Sequence, residues 1–93
     1  MSKKSSISYT EEQLIALLKE RNKAGLEYLY DHYSKALYGV ILQIVQKEEL
    51  AEDILQETFL KIWNNFPMFD ETKGRLYTWM VNITRNLTID HLR

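Results

Sequence analysis

From Asn64 to Asn86 the chain interleaves rings, cations and amides: Phe66, Phe69, Tyr77 and Trp79 alternate with Lys73, Arg75 and Arg85, and with Asn82 and Asn86. An unpaired nucleic-acid base requires that combination. Rings or apolar walls contact an extruded base, amides bond its edges, and cations hold the backbone phosphates. A plainer reading stands beside it. Trp79 shares an apolar helical face with Leu76, Ile83 and Leu87 and is expected to be largely buried. Phe66 and Phe69 can staple a loop to the core. Tyr77, Thr78, Asn82, Arg85 and Asn86 lie away from the centre of that face and read, on their own, as an exposed polar surface.

A second set is acidic. Asp53 and Glu57 stand four apart and so share a helix face, with Gln56 on the adjoining row. Paired carboxylates can do general acid–base work. Here no partner base, glycine-rich phosphate loop, nucleophile elbow or Ser/His/Asp set accompanies them. A polar docking patch explains the trio better. His32 and His91 fall in neither a Glu-x-x-His nor a His-x-x-x-His spacing, so the helical metal-site patterns fail. His32, next to Asp31, reads as solvated or locally paired. The chain has no cysteine, which excludes disulfides, zinc-thiolate sites and cysteine nucleophiles. These readings together indicate a non-enzyme without cofactor or metal.

The elements that carry these residues are helical. Thr10 with Gln13 fits a capping box opening a first helix from about Glu11 to about Arg21. Asn22 is the N-cap of a second, with Leu26, Leu29, Tyr30, Tyr33, Leu37, Ile41 and Ile44 on one face and its end at Gln46 and Lys47. A third starts near Glu48, its acidic first turn suited to the helix dipole, and buries Ile54, Leu55, Phe59 and Ile62. Asn64 to Gly74 forms the one real loop, with Pro67 forbidding helix and Gly74 allowing a turn. A last helix runs from about Arg75 towards Leu92. The expected fold is all-α, one compact domain of about four helices with a longer loop before the last.

Ninety-three residues make one domain at most. The apolar share of 45% and charged share of 27% fit an ordinary globular protein. The net charge of -1 argues against a generic nucleic-acid coat protein but leaves room for a local basic patch. Charge is in fact divided. The third helix carries Glu48, Glu49, Glu52, Asp53 and Glu57, whereas the last segment carries Lys73, Arg75, Arg85 and Arg93. One acidic and one basic helix suggest two different partners or one composite partner, beside the plainer reading of two ordinary solvated faces. Residues 1–9 read as a disordered lead-in, too polar for a signal peptide or a membrane span.

Three blocks spell a known pattern: LEYLYDHYSKALYGV from Leu26, AEDILQETFLKIW from Ala51 and FDETKGRLYTWMVNITRNLTIDHL from Phe69. They closely resemble domain 2 of bacterial RNA polymerase sigma factors of the extracytoplasmic-function (ECF) type, over about Leu14 to Arg93. The Asp53-x-x-Gln56-Glu57 and Trp79-x-x-x-Ile83-x-x-Asn86 features make the match specific. The resemblance implies a cytoplasmic transcription initiation factor. Its second and third helices would dock on the clamp helices of the polymerase largest subunit, through Asp53, Gln56 and Glu57. Its loop and last helix would recognise and melt the −10 promoter element and hold one non-template base flipped out. The positions implied for DNA are Phe66, Phe69, Lys73, Arg75, Tyr77, Thr78, Asn82, Arg85 and Asn86. An anti-sigma factor is a further implied partner, and a helical interaction module without DNA contact is the alternative. Two positions depart from the pattern: Leu50, where an acidic residue is common, and Tyr77, where many members carry Arg. Such factors continue into a −35-binding domain, absent from this chain, so the resemblance implies one domain of a longer protein.

Overall fold

Thr10 opens α1 (Glu11–Lys19) through the expected capping box: its hydroxyl accepts from the Gln13 amide, and the Gln13 side chain accepts from the Thr10 amide. The computed structural model that shows this describes residues 8–93. Most of the expected lead-in therefore lies outside the described residues. Tyr9, counted with it, is instead packed edge-on against Tyr28, with ring centroids 5.0 Å apart.

The first helix ends two residues earlier than its periodicity suggests. Arg21 adopts φ 60°. The Asn22 amide bonds back to Leu17 and the Arg21 amide to Leu18, which together form a Schellman stop. Glycine usually takes the left-handed position. Here Arg21 holds it, and its guanidinium donates to the Trp63 carbonyl at 2.6 Å and lies 4.0 Å over the Trp63 ring. Asn22 then caps α2 (Lys23–Val45), accepting from the Ala24 amide at 2.9 Å. Gly25 lets α2 start against α1: an added Cβ would meet the Leu17 and Leu18 side chains at 3.1–3.2 Å.

The third helix, α3 (Glu48–Asn65), begins where expected but runs on through Asn64 and Asn65. The predicted loop is correspondingly shorter and more ordered. It consists of two 3-10 turns, Phe66–Met68 and Glu71–Lys73, and leads into α4 (Leu76–His91). Helices α2, α3 and α4 pack pairwise, and α1 lies on α2 and the first 3-10 turn. Leu18, Leu29, Leu37, Ile41, Ile54 and Ile62 are fully buried at the centre. Tyr30, assigned from spacing to the buried face of α2, is half exposed.

The buried side of α4 departs from the expected one. Leu76, Met80, Thr84 and Thr88 follow at steps of four and are the residues sealed from solvent, whereas Trp79, Ile83 and Leu87 lie on its flank, partly covered. Two threonines replace the apolar residues that periodicity favours. Each hydroxyl donates to the carbonyl one turn earlier, Thr84 to Met80 and Thr88 to Thr84, both at 2.7 Å. With the hydroxyl satisfied locally, the methyl is what the core meets. Thr58 does the same on α3, to Ile54 at 2.8 Å.

Candidate nucleic-acid interface

The second 3-10 turn is built on a carboxylate. Asp70 Oδ1 accepts from the Thr72 amide at 3.0 Å and the Thr72 hydroxyl at 2.6 Å. The next bend needs Gly74, whose φ of 157° and ψ of 177° lie in a region essentially reserved for glycine. The chain then enters α4 at Arg75, whose own side chain supplies no cap. Turn and helix enclose a cleft of about 200 Å³. Phe69 and Trp79 form its apolar side, Thr78 and Asn82 its polar side, and Lys73 and Arg75 its cationic rim.

Five of the sequence-predicted DNA positions thus converge on one cleft: Phe69, Lys73, Arg75, Thr78 and Asn82. Arg85 and Asn86 are exposed further along α4, at i+3 and i+4 from Asn82, so the polar stripe continues away from the cleft. Two expectations need correction. Phe66 is only 1% exposed and sits beneath the cleft, tilted against Phe69 and edge-on to Trp79. It can offer no face to a base. Tyr77 projects from the opposite flank of α4, towards α2, where its ring stacks on Tyr33 at 5.8 Å. Trp79, expected to be largely buried, is partly buried: it packs against the core and also lines the cleft. Its i+4 spacing from Arg75 and i−3 spacing from Asn82 was the available signal.

The turn also places one carboxylate, Asp70, in the lining of the cleft. Asp70 is tied into its own turn, and Glu71 pairs with Lys19 of α1 at 3.3 Å. The two Thr72 hydrogen bonds, hydroxyl first and amide second, hold the Asp70 carboxyl below its usual 3.8. A carboxyl lowered in the folded state stabilises above its unfolded pKa, and the benefit is lost as pH falls through the folded value. The turn is therefore expected to hold fully above the ordinary carboxylate range and to loosen progressively as pH falls through and below it. Amide exchange at Thr72, followed down the pH scale, checks this; loosening that begins above pH 5 would contradict it.

The acidic trio lies on α3 and contributes nothing to the lining of the cleft. Asp53, Gln56 and Glu57 are all exposed on α3. They do not share one environment. Gln56 lines a groove of about 540 Å³ between α2 and α3, together with Leu26, Tyr30, Phe59 and Leu60. Tyr30 and Leu60 are 50% and 62% exposed there, an apolar strip with Glu27, Asp31 and Gln56 along it. Glu57 turns towards α4 and meets the His91 ring at 2.6 Å. His32 bonds the Tyr28 carbonyl through Nδ1 at 3.1 Å and stacks on the Tyr28 ring, a local pairing.

Comparison with known proteins settles the family. The family model described as Sigma-70 region 2 matches residues 29–93. The chain belongs to the sigma-70 region 2 family. It is similar to the ECF RNA polymerase sigma factor SigK of Mycobacterium bovis, at 24% identity over 82 residues, covering 88% of this chain and 44% of the relative. It is also similar to the ECF RNA polymerase sigma factor SigM of Bacillus subtilis, at 31% identity over 68 residues, covering 73% of this chain and 40% of the relative. The chain spans less than half the length of either. No solved structure matches significantly. The region 2 match contains α3, the cleft and α4, and begins beyond α1. Among the described residues, no helix is long and apolar enough to cross a membrane.

Proposed function

We propose that this chain is the part of an ECF-type initiation factor that binds RNA polymerase core and reads the −10 promoter element as an unpaired non-template strand. One observation carries the reading: apolar, amide, hydroxyl and cationic groups converge on a single cleft at the start of α4. A base entering it meets the Trp79 ring and Phe69 edge, with Thr78 and Asn82 placed for its polar edge. Lys73 and Arg75 then meet the flanking phosphates, and Arg85 takes the strand onward along α4. Phosphate contacts position the strand while the edge contacts specify it. The chain acts by binding, not by catalysis.

Core docking falls to α3 and the groove beside it. A partner helix laid along Tyr30 and Leu60 would cover the apolar strip, and Gln56 would bond at its edge. Apolar centre with polar rim is the usual anatomy of a protein interface. The clamp helices of the largest subunit are the proposed partner; an anti-sigma factor competing for the same groove is the second. Gln56→Ala and Glu57→Ala are expected to leave the fold intact and to weaken core binding by about 1–3 kcal/mol each. Equilibrium binding to purified core measures this, and unchanged affinity in both variants would sink the docking assignment.

The same groove favours the alternative, a helical interaction module with no DNA contact. Affinity of the core-bound protein for single-stranded −10 DNA separates the two readings. A salt-dependent affinity supports the first; core binding with no affinity for the strand supports the second.

A further inference from the structure

The start of α4 lacks what helix starts normally carry. Arg75, at the N-cap position, makes no side-chain cap, and the first turn holds no acidic residue. The missing group arrives from 65 residues away. Glu11, in the first turn of α1, accepts from the Leu76 amide through Oε2 at 3.0 Å. Its Oε1 lies 3.5 Å from Arg75 Nη2. At the far end of α1, Lys19 holds Glu71 in the turn before Gly74. The short helix therefore grips both sides of the bend that forms the cleft. Burial first, and the nearby Glu11 carboxylate second, push the Tyr33 hydroxyl above its ordinary value, as expected where Glu11 is drawn in against α2 and α4.

We propose that Glu11 is a positioning residue for the cleft: it caps α4 from α1 and so fixes where Arg75, Thr78 and Asn82 stand relative to the turn. The proposal rests on the reading of that cleft as a base site. Arg75 is 82% exposed, so its ion pair with Glu11 adds little energy. Its value lies in direction, because it holds the guanidinium at the rim. The Leu76 hydrogen bond is the energetic part, a charged acceptor on an otherwise orphaned amide at the positive end of a helix. The family match starts at Leu29, so it assigns α1 no role.

The test uses the full-length protein and four variants. Glu11→Ala removes the acceptor. Glu11→Asp keeps the charge that favours α1 but withdraws the acceptor by one methylene, and serves if the alanine variant folds poorly. Glu11→Gln keeps a neutral acceptor at full reach. Glu12→Ala removes an equivalent first-turn charge from α1 without touching α4. Two quantities are read: hydrogen exchange of the Leu76 amide, and discrimination among bases at each position of an unpaired −10 strand with core bound. Glu11→Ala and Glu11→Asp are expected to speed Leu76 exchange about five- to tenfold, the usual worth of a lost cap, and to flatten the preference at one position. Glu11→Gln should restore most of both, Glu12→Ala should change neither, and core affinity should stay constant throughout. Faster Leu76 exchange with unaltered base preference overturns the proposal and leaves the cleft reading standing. Equal effects from Glu12→Ala overturn it as well, by reducing Glu11 to general support of α1. A wild-type protein that prefers no base at any position overturns the cleft reading, and the proposal with it.

Discussion

Phe66→Ala is expected to cost about 3–5 kcal/mol of folding stability, the range for truncating a buried aromatic. The ring is 1% exposed at the junction of α3 with the first 3-10 turn. Its centroid lies 5.4 Å from that of Phe69 and 5.7 Å from that of Trp79. Removing it opens a void under the cleft and deprives both remaining rings of their support. A domain of this size has only about 5–14 kcal/mol in total, so the variant should be partly unfolded at physiological temperature. Urea denaturation measures the loss. Trp79→Ala should cost less, because that ring is only partly buried and lines the cleft, and should damage strand binding more. A Phe66→Ala protein with the wild-type midpoint would place the ring outside the core and restore it as a candidate for base contact.

Neutralising Lys73, Arg75 and Arg85 together is expected to lower the salt dependence of strand binding. On a single strand each phosphate contact contributes roughly 0.7 to the slope of log affinity against log salt, so the loss should be about 2. The three side chains are exposed and lie along the rim of the cleft and the outer stripe of α4. Their removal should leave folding and core binding unchanged. The rank order of bases at the position read by the cleft should survive as well, since phosphate contacts carry no sequence information directly. Titrations of holoenzyme with a −10 oligonucleotide at several salt concentrations give the slope. An unchanged slope would mean that the strand runs elsewhere.

Local rules made much of this fold legible. The capping box at Thr10 and Gln13, the Asn22 cap and the acidic start at Glu48 all sit where residue type and spacing put them. Readings failed where polar residues satisfy themselves. Thr84 and Thr88 look like surface residues, yet hydrogen bonding to their own helix frees their methyls for burial. That shift turns α4, which brings Trp79 to the cleft and carries Tyr77 round to Tyr33. Pro67 rules out a regular helix in the loop, yet it does not stop a 3-10 turn, and it sits near the start of the first one. The cap that Glu11 supplies was invisible for a different reason. Its partner is 65 residues distant, and no periodicity encodes such a contact.

The most direct test of the cleft as a base site is exchange of residues 70–74 for the matching turn of another ECF sigma factor in the full-length protein. The exchange leaves Phe66, Phe69 and Trp79 in place, so the core beneath the cleft is kept. Transcription from a promoter library randomised across the −10 element then reports base preference, alongside core affinity. The preference at one −10 position should move while core affinity stays constant. An unchanged preference, with folding and core binding intact, would contradict the assignment of this cleft to an unpaired base.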